Sequence, residues 1–445
     1  MTKTSSNTPH RPDSLAGAIS AFEGIHNACA LINSPLGCRN YLAYLIQIQD
    51  PQATSLNSDA YMTEFHFGLP RAPCTFIDEY DYVNSAEPKI KKALTYLSGW
   101  NQGLVGVINA PGTSLIGDDL TGIVRKISPK FKTVTIESTS FTGTFADGFK
   151  KAIIEILKTV TKESSGKIPK SVNLVGPNIF HYNWENNVEE IKKTFELMGI
   201  RTLSTICAGE DLSKIEQAAK AELNVVLSEE YGDTIAKFLE RNFGIPALGI
   251  KEPSPFGLMA SEQWFGSIAK FFNLHSEIVE SESRKIRMKC YRTLERLSLL
   301  TGGLKGKTFA IFGDSSAVAP LTIFLHKYLG MYPEIVGLRE VGPHNKSSIE
   351  SYLSENSLDT TLLFSPDQYE IQRNLLTRNP HLIYGSVIEE RISKAAQNKH
   401  QAFIPISHPY SERVLLTYRP TVGFNGALTL VEDTINSIKE VEGQV

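Results

Sequence analysis

The chain has 445 residues, 41% of them hydrophobic and 21% charged, with a net charge of −3. That length is more than one hydrophobic core can serve and predicts roughly two to four domains. The interspersed charges exclude a basic face for phosphate backbones and argue against a nucleic-acid partner, while five cysteines, an odd and sparse set, exclude a disulfide framework and predict free thiols in a reducing compartment.

Residues 1–14 are polar and lack the apolar core of a secretory signal. No stretch approaches the roughly 18 to 20 apolar residues that cross a bilayer. A soluble, cytoplasmic protein without membrane contact is expected. In chain order, short β-branched runs alternate with amphipathic helical stretches, the pattern of parallel sheets. "NACALINS", "GLVGVINA" and "KTVTIES" read as buried strands, and "CRNYLAYLIQIQ", "GDDLTGIVRKI" and "FADGFKKAIIEILKTV" as the helices after them. Together they predict a first α/β domain over 15–165. The polar segment 161–170 links it to a second over 168–260, with strands in "SVNLVG", "RTLSTI", "LNVVLS" and "IPALGI". A connecting helical segment is expected over 261–302. The third domain, 303–425, carries strands in "TFAIFGD", "PEIVGL", "LDTTLLFS", "LIYGS" and "AFIPISH". The expected fold is α/β, three successive Rossmann-like doubly wound parallel-sheet domains, with a final helix over 426–441 packing back on the first.

Such sheets bind ligands beyond the carboxyl ends of their strands, so the loops after strands carry the candidate chemistry. "GGLKGKT" (302–308) has the wrong glycine spacing for a phosphate loop and precedes a strand, and no G-x-G-x-x-G follows any predicted strand. No nucleotide is therefore expected on this chain. Asp314 or Ser315 in "FGDSSA" is expected to cap a helix, as are the acidic residues of "GDDL" (117–120). No G-x-S-x-G or H-E-x-x-H supports hydrolysis. His408 and Arg413, after the last strand, are candidate substrate contacts, with a hydrogen-bonded loop histidine as the bland alternative. Cys29, Cys207 and Cys290 fit core packing, and Cys74 lies in a proline-flanked loop. Cys38 differs: it follows "SPLG" at a strand end and opens a helix whose N–H groups would favour a thiolate, the form that binds iron. One cysteine cannot hold a cluster alone.

"SAFEGIHNACALINSPLGC", "FIDEYDYVNSAEPKIKKAL", "NAPGTSLIGDDL", "STSFTGTFADGF", "AELNVVLSEEYG" with "LERNFGIP", and "YRPTVGFNGA" resemble, in this order, motifs of the nitrogenase component 1 family. The resemblance covers nearly the whole chain and implies three Rossmann-like domains. The family's fullest pattern has three cluster cysteines per subunit. Here the first falls on Ser20, the second is kept as Cys38, and the third falls on Pro111. Ser140 matches a serine that can also ligate the cluster in β-type chains. The family's active-site cofactor cysteine falls on Ser228 and its histidine on Val422, so the usual ligands for that cofactor are missing.

The resemblance implies a β-type subunit of a nitrogenase-like iron–sulfur reductase or cofactor-assembly scaffold. It would share an iron–sulfur cluster, [4Fe-4S] by ligand arithmetic, with an α-type subunit in an α2β2 heteromer. An ATP-dependent iron–sulfur reductase would supply electrons. Cys38 would be the metal ligand, with Gly37 letting the backbone approach the cluster and Ser140 beside it. The alternative is a cluster-free structural or cofactor-carrier subunit of the same fold.

Overall fold

The computed structural model describes residues 12–40, 42, 72–99, 103–137, 143–164, 166–297, 303–396, 401–410, 412–413 and 415–442. The strands fall into three main parallel sheets. In the first, Ala28–Asn33, Leu104–Asn109 and Lys132–Ile136 lie side by side in chain order. Strand 28–33 is buried along its length because both faces are covered. Ala28, Ala30 and Ile32 face a core with Phe22, Phe149 and Ile153, whereas Cys29 and Leu31 face Ile90, Leu94 and Ile123. This two-sided burial is why the sequence there is a continuous apolar run.

Helices Ser14–Glu23 and Phe145–Val160 pack so closely that side chains cannot separate them. A Cβ on Gly17 would lie 1.9 Å from Phe145 O, and one on Gly148 would lie 1.8 Å from Ser14 O. The second of these helices starts at a capping box, with Thr144 Oγ1 accepting from the Asp147 N–H and Asp147 accepting from the Thr144 N–H.

The second sheet has the spatial order Arg201–Thr205, Ser171–Val175, Leu223–Val226, Ala247–Leu248. The third runs Thr361–Phe364, Tyr332–Leu338, Thr308–Gly313, Leu382–Gly385, Ala402–Pro405. Numbered within each sheet, these orders are 2-1-3-4 and 3-2-1-4-5. Each reverses direction beside its first strand, the switch point at which a crevice opens above the strand ends. A short parallel pairing of Ile25–His26 with Glu210–Asp211 ties the first unit to the second.

Two expectations are corrected. The segment 261–302 is not one connecting helix: Leu258–Phe271 and Glu277–Leu297 are separated by a turn at Asn273, whose φ is 52°. The final helix, Gly423–Glu442, does not pack on the first unit. Its Phe424, Leu430, Val431 and Ile435 join the core holding Trp264, Phe265, Tyr384 and Ile404 of the second and third units and their linker. Its apolar stripe meets strand 402–405 and helix Trp184–Leu197 because the chain returns to them through "YRPTVG". No helix among the described residues is long and apolar enough to cross a membrane.

Candidate functional site

Two places at strand ends hold the chemistry that the sequence points to. At the first sheet, loops 34–38, 72–78 and 110–116 follow or flank the strand ends. A buried polar belt joins them. Asn33 donates to Asn109 Oδ1 at 2.8 Å, Thr75 Oγ1 donates to Asn33 Oδ1 at 2.8 Å, and Thr113 Oγ1 donates to Asn33 O at 2.7 Å. Cys74 is buried, its Sγ 3.0 Å from Ser34 O and 3.3 Å from the Phe76 N–H. This scaffold presents Cys38, an exposed thiol, in a helical turn over 36–40.

The helix begins at Leu36, so Cys38 lies inside its first turn rather than opening it. The expected stabilisation of the thiolate is outweighed. Burial, then Cys74 and Asp13, push the Cys38 thiol up, and the backbone hydrogen bond opposes this only in part. A metal here would displace a proton as it binds. Gly37 is not required by this chain's own packing, since an added Cβ would meet nothing within 4 Å. The same loops leave Leu36, Phe76 and Leu115 exposed, the last at 74%, and helix Glu79–Asn84 exposes Tyr80, Tyr82 and Val83, the last at 84%.

The other family positions do not converge here. Ser20 is buried, donates to Gly17 O at 2.7 Å and accepts from Asn178 Nδ2 at 3.0 Å, so its hydroxyl is held within this chain. Pro111 stands just beyond strand 104–109 and offers no side-chain donor atom. Ser140 lies outside the described residues.

The second place is a cavity of about 50 Å³ where the switch points of the second and third sheets face each other. Ser228 and Val422 both line it, as do His181, Glu230, Asp314 and His408. Gly176, at φ 94°, makes the turn after strand 171–175 that carries His181 inward, and a Cβ there would lie 2.8 Å from Ser228 O. Asp314 precedes helix Ser315–Leu329 but makes no side-chain cap bond, contrary to expectation. Its carboxylate instead accepts from the Tyr231 hydroxyl at 2.9 Å and lies 3.9 Å from His181 Nε2. Ser315 accepts from the Gly342 N–H rather than capping its helix. In "GDDL", by contrast, Asp119 caps helix Leu120–Ile127 by accepting from the Gly122 N–H, and Asp118 accepts from the Ala86 N–H.

His408 and Arg413 are not brought together. Arg413 pairs with Asp433 on the final helix, whereas Arg339 reaches the His408 carbonyl and is itself held by Glu389. Burial pushes the His408 imidazole down to about 3, helped by Arg339 and His181. Burial also lowers His181 against the pull of Asp314. Burial and Asp314 raise Glu230 to about 8 and Glu340 to about 7. Burial thus favours the neutral form of both imidazoles and of the Glu230 carboxyl. His181 was overlooked in the sequence, where its place in "GPNIFHYN", just past a strand, was the available signal.

The chain matches the family described as Nitrogenase component 1 type Oxidoreductase over residues 14–439. It is 25% identical over 434 residues to the nitrogenase molybdenum-iron protein alpha chain of Methanothermobacter marburgensis, covering 95% of this chain and 86% of that one. It is 23% identical over 387 residues to the nitrogenase iron-molybdenum cofactor biosynthesis protein NifE of Clostridium pasteurianum, covering 85% and 78%. The nitrogenase molybdenum-iron protein beta chain of Methanococcus maripaludis is 22% identical over 469 residues, covering 95% of this chain and 92% of that one. In fold, the chain superposes on a structure of nitrogenase Cp1 with a TM-score of 0.78 at 19% identity, covering 99% and 94%.

Proposed function

We propose, given that this chain belongs to the nitrogenase component 1 type oxidoreductase family, that it is the β-type subunit of a nitrogenase-like iron–sulfur reductase or cofactor-assembly scaffold. It contributes Cys38 to an iron–sulfur cluster, a [4Fe-4S] cubane, shared with an α-type subunit in an α2β2 cytoplasmic heteromer. The observation that carries this reading is an exposed cysteine just past strand Ala28–Asn33, with Leu36, Phe76 and Leu115 also exposed on the loops at that end of the sheet. Apolar patches of this kind mark protein interfaces.

The donor set of this chain suits one corner of such a cluster. Cys38 offers one accessible sulfur, and Cys74, the nearby second thiol, is buried and bonded to Ser34. Three ligands would come from the partner. When bound, the cluster would supply one-electron transfer from an ATP-dependent iron–sulfur reductase, and this chain itself binds no nucleotide. The residues of this chain have simpler tasks. Cys38 would hold iron, the rim of Leu36, Phe76 and Leu115 would exclude water and so tune the potential, and the open space at Gly37 would admit the cluster. Ser140 is assigned beside it from its motif alone.

A second reading, a cluster-free structural or carrier subunit, is favoured by one observation: of the other two family cluster positions, Ser20 is buried and hydrogen-bonded within the chain and Pro111 has no side-chain ligand atom. Anaerobic co-expression with the α-type partner separates the two. The expected product is a brown, iron-containing complex whose EPR signal is lost in Cys38→Ala. Iron content and EPR unchanged by that substitution would overturn the ligand assignment, and a metal-free complex of native affinity would favour the second reading.

A further inference from the structure

A further cavity lies where the second unit hands over to the third. It holds about 300 Å³ and is bounded by segment 250–253, helix Leu258–Phe271 and helices Ser315–Leu329 and Pro343–Glu355. That is the size at which small-molecule sites begin. Its lining is divided by chemistry. Met259, Ile323, Phe324 and Tyr352 give an apolar wall, and Lys251, Lys327 and His344 give a polar one.

Neither lysine has a carboxylate partner among the described residues. Lys251 makes no ion pair, and Lys327 rests its ammonium over the Tyr352 ring, 5.1 Å from the centroid. Glu252 is the one acidic side chain on the lining, and it accepts from the Gly249 N–H at 2.8 Å. The cavity therefore carries an excess of positive charge in a chain whose net charge is −3. His344 is held in place from behind. Its Nδ1 donates to Glu229 Oε1 at 2.7 Å, and Glu229 is 1% exposed. The same carboxylate accepts from the backbone N–H groups of His344 and Asn345, at 3.0 and 3.1 Å, and so supplies the cap that Gly342 cannot give helix 343–355. Capping needs only those backbone bonds. The bond to the ring fixes the imidazole and leaves Nε2, which makes no hydrogen bond among the described residues, as its open polar atom.

We propose that this cavity is a binding site for a small organic anion, a carboxylate or phosphate group on a compact apolar body. Lys251 and Lys327 hold the charged group, the apolar wall takes the body, and His344 Nε2 accepts from a hydroxyl of the ligand. Lysine is a point charge without the fork of arginine, so either anionic group fits. The cavity shares no lining residue with the one at the switch points, and Ser228 and Val422 are not part of it. The site is independent of Cys38 and stands or falls apart from it.

The test uses the full-length chain and phenyl phosphate, followed by calorimetry and ³¹P NMR. Saturable one-to-one binding with a Kd below about 1 mM is expected. Benzyl alcohol, which keeps the ring, and inorganic phosphate, which keeps the charge, should each bind at least about tenfold more weakly. Lys251→Met and Lys327→Met, both at exposed positions, should each weaken phenyl phosphate at least about threefold, and the double variant should abolish saturable binding. Cys38→Ala should leave it unchanged, and added salt should weaken it. A hydroxyl on the probe, in 4-hydroxyphenyl phosphate, should add affinity that His344→Phe removes. A crystal of the wild-type chain with phenyl phosphate, which needs no variant to fold, should place the phosphate within reach of both lysines. Absence of saturable binding to the folded wild-type chain, benzyl alcohol binding as well as phenyl phosphate, or binding indifferent to both lysines would overturn the site. A hydroxyl gain that survives His344→Phe would overturn the role of His344.

Discussion

The two strand-end regions are finished in opposite ways. Above the first sheet a belt of polar side chains is satisfied, with Asn33, Thr75, Asn109 and Thr113 bonded to one another and to the backbone, while Leu36, Phe76, Leu115 and one thiol are exposed. Between the second and third sheets a largely apolar cavity wall carries a few polar side chains, and the His181 Nε2 and both His408 ring nitrogens are buried without hydrogen-bond partners. A surface that exposes carbon and saturates its polar atoms is suited to another protein chain. A concave, largely apolar pocket that carries a few polar side chains is suited to a small ligand.

The largest expected effect falls on the second region alone. Arg339 and Glu389 form a buried pair whose side chains are 7% and 0% exposed. Arg339→Met would strand the carboxylate and cost about 3–5 kcal/mol in urea unfolding. It would also free the His408 carbonyl, while Cys38 in the folded variant should alkylate at the wild-type rate. A changed Cys38 rate would mean that the two regions are coupled, and the contrast between them would fail.

A smaller effect, resolved by pH, comes from His408, which faces His181, Arg339 and Phe180. Its folded value near 3 lies below the ordinary value of 6.5. The unfolded chain therefore takes up a proton that the folded chain refuses. Stability should fall as pH drops from about 6.5 towards 3, by about 1.4 kcal/mol for each unit of difference. His408→Phe should remove this part of the acid slope, gaining roughly 3 kcal/mol over wild type at pH 4 relative to pH 7. Parallel pH–stability curves for the two proteins would show that His408 is not held neutral.

The smallest effect belongs to Cys38. Because its thiol is pushed up, iodoacetamide should modify it more slowly at pH 7.5 in the folded chain than in urea. The rate should climb as pH rises and thiolate forms. A folded-state rate equal to or above the unfolded one would show instead that the helical turn stabilises the thiolate.

Much of the fold was legible because its signals are local. Continuous apolar runs marked strands buried on both faces, and the structure places strands in every run so read among the described residues, although "IPALGI" forms only the two-residue edge strand Ala247–Leu248. The place of Cys38 just past a strand was also legible, as was the burial of Cys29, Cys207 and Cys290. The break at Asn273 was not, because a left-handed residue between two helical patterns does not interrupt their apolar spacing. The partner of Asp314 was not either. A residue at a helix start reads as a cap until the fold brings Tyr231 within 2.9 Å of it.

Sequence alone thus determined the βα grammar, the three sheets and the one cysteine offered at a strand end, all of which depend on neighbours a few residues apart. Tertiary structure decided the rest. It brought His181 and His408, 227 positions apart in the chain, to the lining of one cavity and sent Arg413 to the final helix instead. It also left Leu36, Phe76 and Leu115 exposed at the same end of the sheet as Cys38. The physical reason is that convergence depends on how two sheets face each other, and that is set by core packing among distant elements, which no local period encodes.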